Sequence, residues 1–358
     1  MCEHPTGVAL GVMVLVASCS ARPPERDSKV GRTVLNMEDP DRTRFDGPDP
    51  RPLRTTLWYP TKADEPERAW GFGVFEFGWA VQDGPLPSPD TQFPPILLSH
   101  GTGGSAAQLG WLAETLASRG AIVAAVDHHG NTAVEPAQLP HGFVLWWERP
   151  RDLSVLVDLL LDDPRLGPLI DRDRVSAAGF SLGGYSVLAL AGAQVSMEQH
   201  AIHCASNVDS AACALPPEAG FDPTELERLR QEDPDFKASL QRAGQSYADD
   251  RVSRVYAIAP VLGPAITGPS LSSTKTPMAI TVGTEDRQAW DSAIAYREHL
   301  PAGLEWREIE GLGHYTFLAR CTWRGRWFAG PICHDRPGVD RRAVHRDIAD
   351  HAASFLLH

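Results

Sequence analysis

Residues 170–192 read IDRDRVSAAGFSLGGYSVLALAG. Val175 to Ala178 is a short apolar run without polar alternation, the pattern of a parallel strand buried on both faces. Leu182 to Ala191 carries apolar residues at helical spacing. Between them stands Gly179-Phe180-Ser181-Leu182-Gly183, a G-x-S-x-G pentapeptide. A serine on a strand–turn–helix boundary fits a nucleophile elbow, in which the hydroxyl is held above the strand ends. Glycines at 179 and 183 remove side chains that would clash across the tight turn, and the positive end of the helix dipole lies beside the serine. The competing reading of Ser181 is an ordinary helix N-cap.

Working outward, the same alternation recurs on both sides. Ile96 to Ser99 is a short apolar run, Ala106 to Ser118 is helical and stops at Gly120, and Ala121 to Val126 (AIVAAV) reads as a buried parallel strand. Leu153 to Leu161 is helical; strand-like runs return at Arg254–Ile258, Met278–Val282 and Glu305–Ile309, and a helix closes the chain from Arg341 to Leu357. Such βαβα order predicts an α/β fold with a mainly parallel sheet covered by helices. Residues from about 195 to 250, with a helix-prone stretch Asp222–Ala243, read as a cap-like insertion over that sheet. Thr55 to Tyr59 reads as an edge strand stopped by Pro60. The Pro-, Arg- and Asp-rich residues 19–50 read as a tether and irregular lead-in, which starts the main domain at 51.

A serine hydroxyl is a poor nucleophile until a base takes its proton. With an elbow serine first in the chain, the acid and then the histidine follow it. Asp286 lies just past the strand Met278–Val282, where Gly283 and Thr284 clear the sheet; Glu285 is the substitute acid, and an N-cap is the plainer role for Asp286. His314 stands in a glycine-rich turn, EGLGHYTF, directly after a strand. An oxyanion would need preorganised donors. The N–H of Leu182 supplies one, and the loop Ser99-His100-Gly101-Thr102-Gly103-Gly104 offers Thr102 N–H as the second.

Composition narrows the class. The chain has 358 residues, 42% hydrophobic and 22% charged, enough for two domains or one large α/β domain with a full core. A net charge of −13 with lysine only at 29, 62, 237 and 275 argues against a nucleic-acid partner. Gly7 to Cys19 (GVALGVMVLVASC) has the length of a signal-peptide core. Val16-Ala17-Ser18-Cys19 resembles a bacterial lipobox, which implies a signal peptide over 1–18 and an acylated Cys19 as mature N-terminus. The segment before it departs from that pattern, carrying Glu3 and neither Lys nor Arg. Beyond the leader stand Cys204, Cys213, Cys321 and Cys333. Of the three pairings that four cysteines allow, close spacing makes 204–213 and 321–333 the first expectation in an oxidising compartment.

The set LLSHGTGG, VDHHGNT, WERPRDLSVLVDLLL, IDRDRVSAAGFSLGGYSVLALAG, ITVGTED and GLGHYTF resembles the α/β-hydrolase group labelled predicted dienelactone hydrolases, close in pattern to the platelet-activating-factor acetylhydrolases. The resemblance runs over roughly residues 30 to 350. It implies Ser181, Asp286 and His314 as a catalytic triad, Thr102 and Leu182 as oxyanion donors, and a serine carboxylic ester hydrolase that forms an acyl-enzyme on small or medium acyl esters. No cofactor is needed for that chemistry. The rival readings are a thioester or amide hydrolase using the same triad, and a catalytically silent binding protein of the cell envelope. The sequence departs from the group in two ways: authentic dienelactone hydrolases use Cys where Ser181 stands, and many relatives have His where Phe180 stands. Phe180, His128, Trp146 and Trp147 are the candidates for the substrate pocket. Asp127-His128-His129-Gly130-Asn131 reads as a family loop rather than a metal site, and His200-x-x-His203-Cys204 has ligand-like spacing without a second cluster to complete four ligands. The expected partner is a small-molecule or lipid ester, with membrane association through the lipid anchor. The expected location is the periplasm or cell envelope, or the medium if the leader is a plain secretory signal.

Overall fold

The computed structural model describes residues 23–216, 218–301 and 303–358, so the leader and Cys19 lie outside the described residues. In chain order the strands are β1 (Val30–Thr43), β2 (Pro50–Pro60), β3 (Arg68–Phe72), β4 (Phe75–Gln82), β5 (Pro95–Ser99), β6 (Ile122–Val126), β7 (Val175–Phe180), β8 (Val252–Ile258), β9 (Met278–Gly283), β10 (Glu305–Ile309) and β11 (Arg320–Cys321). They form one sheet in the order β10-β9-β8-β7-β5-β6-β2-β1-β4-β11, with β3 beside β4. From β10 to β6 every pairing is parallel. The strands β2 and β1 then continue the sheet antiparallel.

Parallel strands covered on both faces need apolar residues at every position. The strands β5, β6, β7 and β9 are buried at every residue. Alternate side chains go to opposite layers. Leu97 and Ala124 pack with Leu153, Leu156 and Leu160 of the helix Glu148–Asp162, and with Tyr185 and Leu188 of the helix Leu182–Leu190. Ile96, Leu98, Val123 and Ala125 pack instead with Leu112 and Leu116 of the helix Gly110–Ser118, and with Ile348 and Ala352 of the helix Arg341–Leu357. Strand order reverses at β5: the chain runs from β5 to β6 on one side, then crosses back to β7 on the other. In open α/β sheets the crevice beyond the strand ends at such a reversal is where ligands bind.

Two expectations need correction, the irregular lead-in with its domain start at 51 and the edge position of Thr55–Tyr59. Residues 30–43 are not an irregular lead-in. They form β1, paired with β2 from Val30↔Pro60 to Asp39↔Arg51, so the sheet domain begins well before residue 51. The strand is mostly half-buried or exposed and is held by its backbone ladder, which leaves little apolar periodicity to read. Thr55–Tyr59 therefore lies inside the sheet, between β1 and β6. Pro50 and Pro52 precede Thr55–Trp58, the only stretch that pairs with β6, so neither breaks that ladder. The stretch Asp222–Ala243 is two helices, Pro223–Glu232 and Pro234–Leu240, because Pro234 has no N–H to continue the first; Asp222 and Asp233 cap them. The aromatic and glycine-rich run Trp70–Trp79 lies in the β3–β4 hairpin, which turns at Gly73 with φ +60°. Disulfides join Cys204 to Cys213 within the insertion and Cys321 to Cys333 near the closing helix, the pairing that spacing suggested.

Candidate active site

At the end of β7 the chain must reverse from strand to helix within one residue. Ser181 takes φ +57° and ψ −119°, a conformation costly for any residue with a Cβ. Both neighbouring glycines are obligatory. A Cβ on Gly179 would lie 2.1 Å from the Gly183 carbonyl oxygen, and one on Gly183 would lie 1.9 Å from the Ser99 oxygen. The Ser181 N–H donates to Ile258 O (2.9 Å), pinning the turn to β8. Its hydroxyl makes no capping hydrogen bond, so the N-cap reading fails.

That hydroxyl instead meets His314, which opens a single 3₁₀ turn after β10. The Ser181 hydroxyl donates to His314 Nε2 (3.0 Å), and His314 Nδ1–H donates to Asp286 Oδ2 (2.7 Å). Each oxygen of Asp286 has its own partners: Oδ2 accepts from the imidazole, and Oδ1 faces the turn that leads into the helix Trp290–Arg297, whose N-cap is Ala289 rather than Asp286. Its Oδ1 accepts the N–H groups of Gln288 (3.1 Å) and Ala289 (2.9 Å), which locks the carboxylate's orientation. Glu285 faces away and pairs with Arg336 (2.8 Å). Phe180 is buried, its ring 4.7 Å from the His314 ring and 5.9 Å from Phe317. It supports the imidazole from the core side and is no pocket wall, because the last residue of a strand that is buried throughout points into a packed layer.

The loop after β5 abuts the elbow: a Cβ on Gly101 would touch the Phe180 ring at 3.0 Å and Ser181 Cβ at 3.2 Å. Among the described residues, neither Thr102 N–H nor Leu182 N–H donates to a protein acceptor. Two unspent donors beside a histidine-bonded serine can serve a developing oxyanion.

A residue given no role in the sequence holds this loop. Arg149, 2% exposed, donates through Nη1 to His100 O (2.6 Å) and through Nη2 to Asn131 Oδ1 (3.1 Å). Asn131 Oδ1 also accepts the Gly103 N–H, and Asn131 Nδ2 donates to Gly142 O (2.9 Å). Arg149 touches no carboxylate among the described residues, and its Nε has no partner. Burial pushes the guanidinium pKa down to about 9, against the attraction of Asp152. The available signal was a cation in the first turn of a helix whose opposite face is apolar, and it reads as solvated surface.

His128 and Trp147 are not pocket residues. Ser99 Oγ donates to His128 Nε2 (2.8 Å), and His128 Nδ1–H donates to Asp152 Oδ2 (2.9 Å), so a second serine–histidine–aspartate arrangement sits behind the loop. All three side chains are fully buried, and Asp152 is saturated by Arg42 (2.7 Å) and Arg51 (2.8 Å). Burial, with Arg149 nearby, lowers the His128 pKa to about 4, so the ring is neutral. A strand-end position fixes where His128 sits but not which way it turns, and here it turns inward. Trp147 is wholly buried and donates to Ser239 Oγ (2.9 Å) in the core. Trp146 is half-buried, edge-on to His200 of the insertion at 5.2 Å. His200 lies beside Cys204 and Cys213, but these are disulfide-bonded and offer no thiolate to a metal.

The insertion reaches over the site. A Cβ on Gly103 would come within 2.9 Å of Glu218 Cβ, Tyr315 Oη donates to Glu218 at 3.5 Å, and Phe221 packs edge-on to Phe143 at 5.3 Å. Ser181 is accordingly only 5% exposed.

Comparison with known proteins adds four likenesses. A family model described as platelet-activating factor acetylhydrolase, isoform II, matches residues 74–141, which include the loop after β5 and Asp127–Asn131. The chain is 31% identical to cutinase est2 of Thermobifida alba over 127 residues, 35% of this chain and 38% of that protein. It is 29% identical to cutinase cut1 of Thermobifida fusca over 127 residues, 35% of this chain and 36% of that protein. It thus spans under half the length of the curated relatives it matches. Among solved structures, a ferulic acid esterase from Streptomyces cinnamoneus matches with a TM-score of 0.63 at 20% identity, over 94% of this chain and 91% of that one. The fold is that of the α/β-hydrolases.

Proposed function

We propose that the chain is a serine carboxylic ester hydrolase with Ser181 as nucleophile, His314 as general base and acid, and Asp286 as the residue that fixes the imidazole. The observation that carries this reading is the continuous line from Ser181 Oγ to His314 Nε2 (3.0 Å) and from His314 Nδ1 to Asp286 Oδ2 (2.7 Å), with two unengaged amides beside it. Names shared by the relatives, cutinase and ferulic acid esterase, support an ester as the bond cleaved. Ser181 Oγ attacks the carbonyl carbon as its proton passes to Nε2, and the carbonyl oxygen takes the negative charge toward Thr102 and Leu182 N–H. Collapse expels the alcohol, which takes the proton back from Nε2. Water, deprotonated by the same nitrogen, then attacks the acyl-enzyme and releases acid and serine.

The nearly closed position of Ser181 and the contact of Glu218 with the loop after β5 support small or medium acyl groups, with the insertion acting as a cap. The two disulfides support an exported protein, anchored by Cys19 if the lipobox-like leader is processed as its pattern implies. Fluorophosphonate labelling with the modified residue mapped by mass spectrometry tests the nucleophile without knowledge of substrate. Labelling at Ser181 that disappears in His314→Ala is the expected result. A folded protein that takes no label, and cleaves no member of a chromogenic ester series, refutes the reading. Faster turnover of matched thioesters or amides than of esters overturns the ester preference while keeping the nucleophile.

A further inference from the structure

Four large apolar side chains contribute nothing to the core. Phe72 is 83% exposed, Trp323 67%, Trp327 81% and Phe328 84%. They belong to adjoining elements. The strand β11 pairs with β4 through Cys321↔Phe75 and runs directly into the helix Trp323–Phe328. Thr322 N–H donates to Val74 O (2.8 Å) at the β3–β4 turn, next to Phe72. The helix is seated by Gly325, where a Cβ would meet Val74 O at 2.6 Å, so its inner face lies flat on the hairpin and its bulky residues face outward. The Cys321–Cys333 disulfide closes the segment. A large exposed apolar patch on a braced element marks a contact surface.

The charge of this patch differs from that of the whole protein. Residues 320–328 read RCTWRGRWF, with three arginines and no acid in a chain of net charge −13. Arg320 is paired with Glu76, whereas exposed Arg324 and Arg326 have no acidic partner among the described residues. The Arg324 guanidinium lies 5.3 Å from the Trp323 ring. Indole rings settle at the headgroup level of a bilayer, and neighbouring guanidinium groups take up lipid phosphates. We infer that the helix Trp323–Phe328, with Phe72 at the hairpin tip, docks the protein peripherally on an anionic lipid surface. A second copy on this face would set two arginines against their own counterparts, and an uncharged polymer would use the rings but not the cations.

This inference does not rest on the esterase reading, because lipid binding is measured without turnover. The full chain carrying Cys19→Ser, so that no acyl group contributes, is sedimented with vesicles of phosphatidylcholine alone or with about a third phosphatidylglycerol. The expected result is preferential binding to the anionic vesicles. At about fivefold per arginine near such a surface, Arg324→Gln/Arg326→Gln weakens that preference roughly twenty-fivefold. Trp327→Ser/Phe328→Ser lowers binding to both vesicle types, and Phe72→Ser, on the other element, acts in the same direction. Melting temperature and turnover of a soluble ester stay unchanged in all three variants. Equal binding by parent and variants, or no preference for anionic vesicles, overturns the inference. So does a concentration-dependent dimer that the Trp327→Ser/Phe328→Ser variant abolishes, or retention on an insoluble polymer without vesicle binding.

Discussion

Replacing Arg149 by Met separates what this side chain does for folding from what it does for chemistry. Its pKa falls from 12.5 to about 9, which corresponds to about 5 kcal/mol against the charged form relative to water. Removing the charge recovers that cost. Against this, His100 O and Asn131 Oδ1 lose their guanidinium donor, at about 1–3 kcal/mol for each buried group left unsatisfied. The two sums largely offset each other, so Arg149→Met should change unfolding free energy by no more than about 3 kcal/mol. Activity should respond differently. The guanidinium fixes the carbonyl of His100 and, through Asn131, the N–H of Gly103, on either side of the Thr102 amide. Deleting an oxyanion donor costs about 10²–10³ in kcat, and letting one drift should cost part of that, about ten- to a hundredfold, with KM within about threefold. Arg149→Lys keeps a charge without the planar fork and should recover only part of the loss. Urea unfolding beside steady-state hydrolysis of a short chromogenic ester reads both quantities. An Arg149→Met enzyme that is folded and within a factor of about two of the parent in kcat would refute the bracing argument.

Other expectations follow from the same contacts. Gly183→Ala forces a Cβ to within 1.9 Å of Ser99 O, which is backbone and cannot swing aside, so the elbow must open; the melting temperature should drop and fluorophosphonate labelling of Ser181 should vanish. Labelling at the parental rate sinks that account. Acid should destabilise the protein through His345 and His128, whose pKa values burial lowers to about 3 and about 4. Their folded values lie below the unfolded ~6.5, so the unfolded chain binds more protons and stability falls as pH drops below ~6.5, by about 2 kcal/mol per histidine at pH 5. A flat unfolding free energy between pH 7.5 and 5 contradicts this. Cys321→Ser/Cys333→Ser opens a short loop at a cost of about 3 kcal/mol in the chain-entropy model. Turnover should survive, because His314 is held by Asp286 and its turn by His345 Nε2–H donating to Thr316 O (2.9 Å); a kcat that falls in proportion to the lost stability would place the disulfide in the support of His314.

The constraints on the elbow are local, and for that reason legible. Two glycines and a serine at positive φ can be read from five residues, since the turn leaves no other arrangement. His314 and Asp286, which the structure brings to Ser181, can be singled out the same way, each just past a strand end where the backbone clears the sheet. What stayed hidden depends on partners far along the chain. Arg149 contacts carbonyl and amide groups at positions 100 and 131, and nothing in ERPRDL announces them. His128 and Trp147 were placed at the right end of the sheet but on the wrong side of it, because position along a strand leaves the side chain's direction open until the packing layers are known. The strand β1 escaped because backbone pairing, which is blind to side-chain type, can hold a strand rich in charge.

Two serine–histidine–aspartate arrangements with nearly the same distances lie beside the same loop. Ser181–His314–Asp286 has contacts of 3.0 and 2.7 Å; Ser99–His128–Asp152 has 2.8 and 2.9 Å. Hydrogen-bond geometry alone therefore does not single out Ser181 as the proposed nucleophile over Ser99. The differences lie around the triads. Asp152 already answers two guanidinium groups, and a histidine with a pKa of about 4 is a weak base that could accept a proton only at great cost. The Ser99 carbonyl end of β5 is closed off by the very glycine, Gly183, that lets the elbow turn. Ser181 instead sits where the strand order reverses, next to amides that among the described residues no other acceptor claims, beneath a segment of the insertion whose Glu218 approaches Gly103 of the loop. The buried copy has a structural use: a neutral His128 ties the end of β5 to the helix Glu148–Asp162, from which Arg149 reaches the loop after β5. One arrangement thus carries the frame against which the other can work.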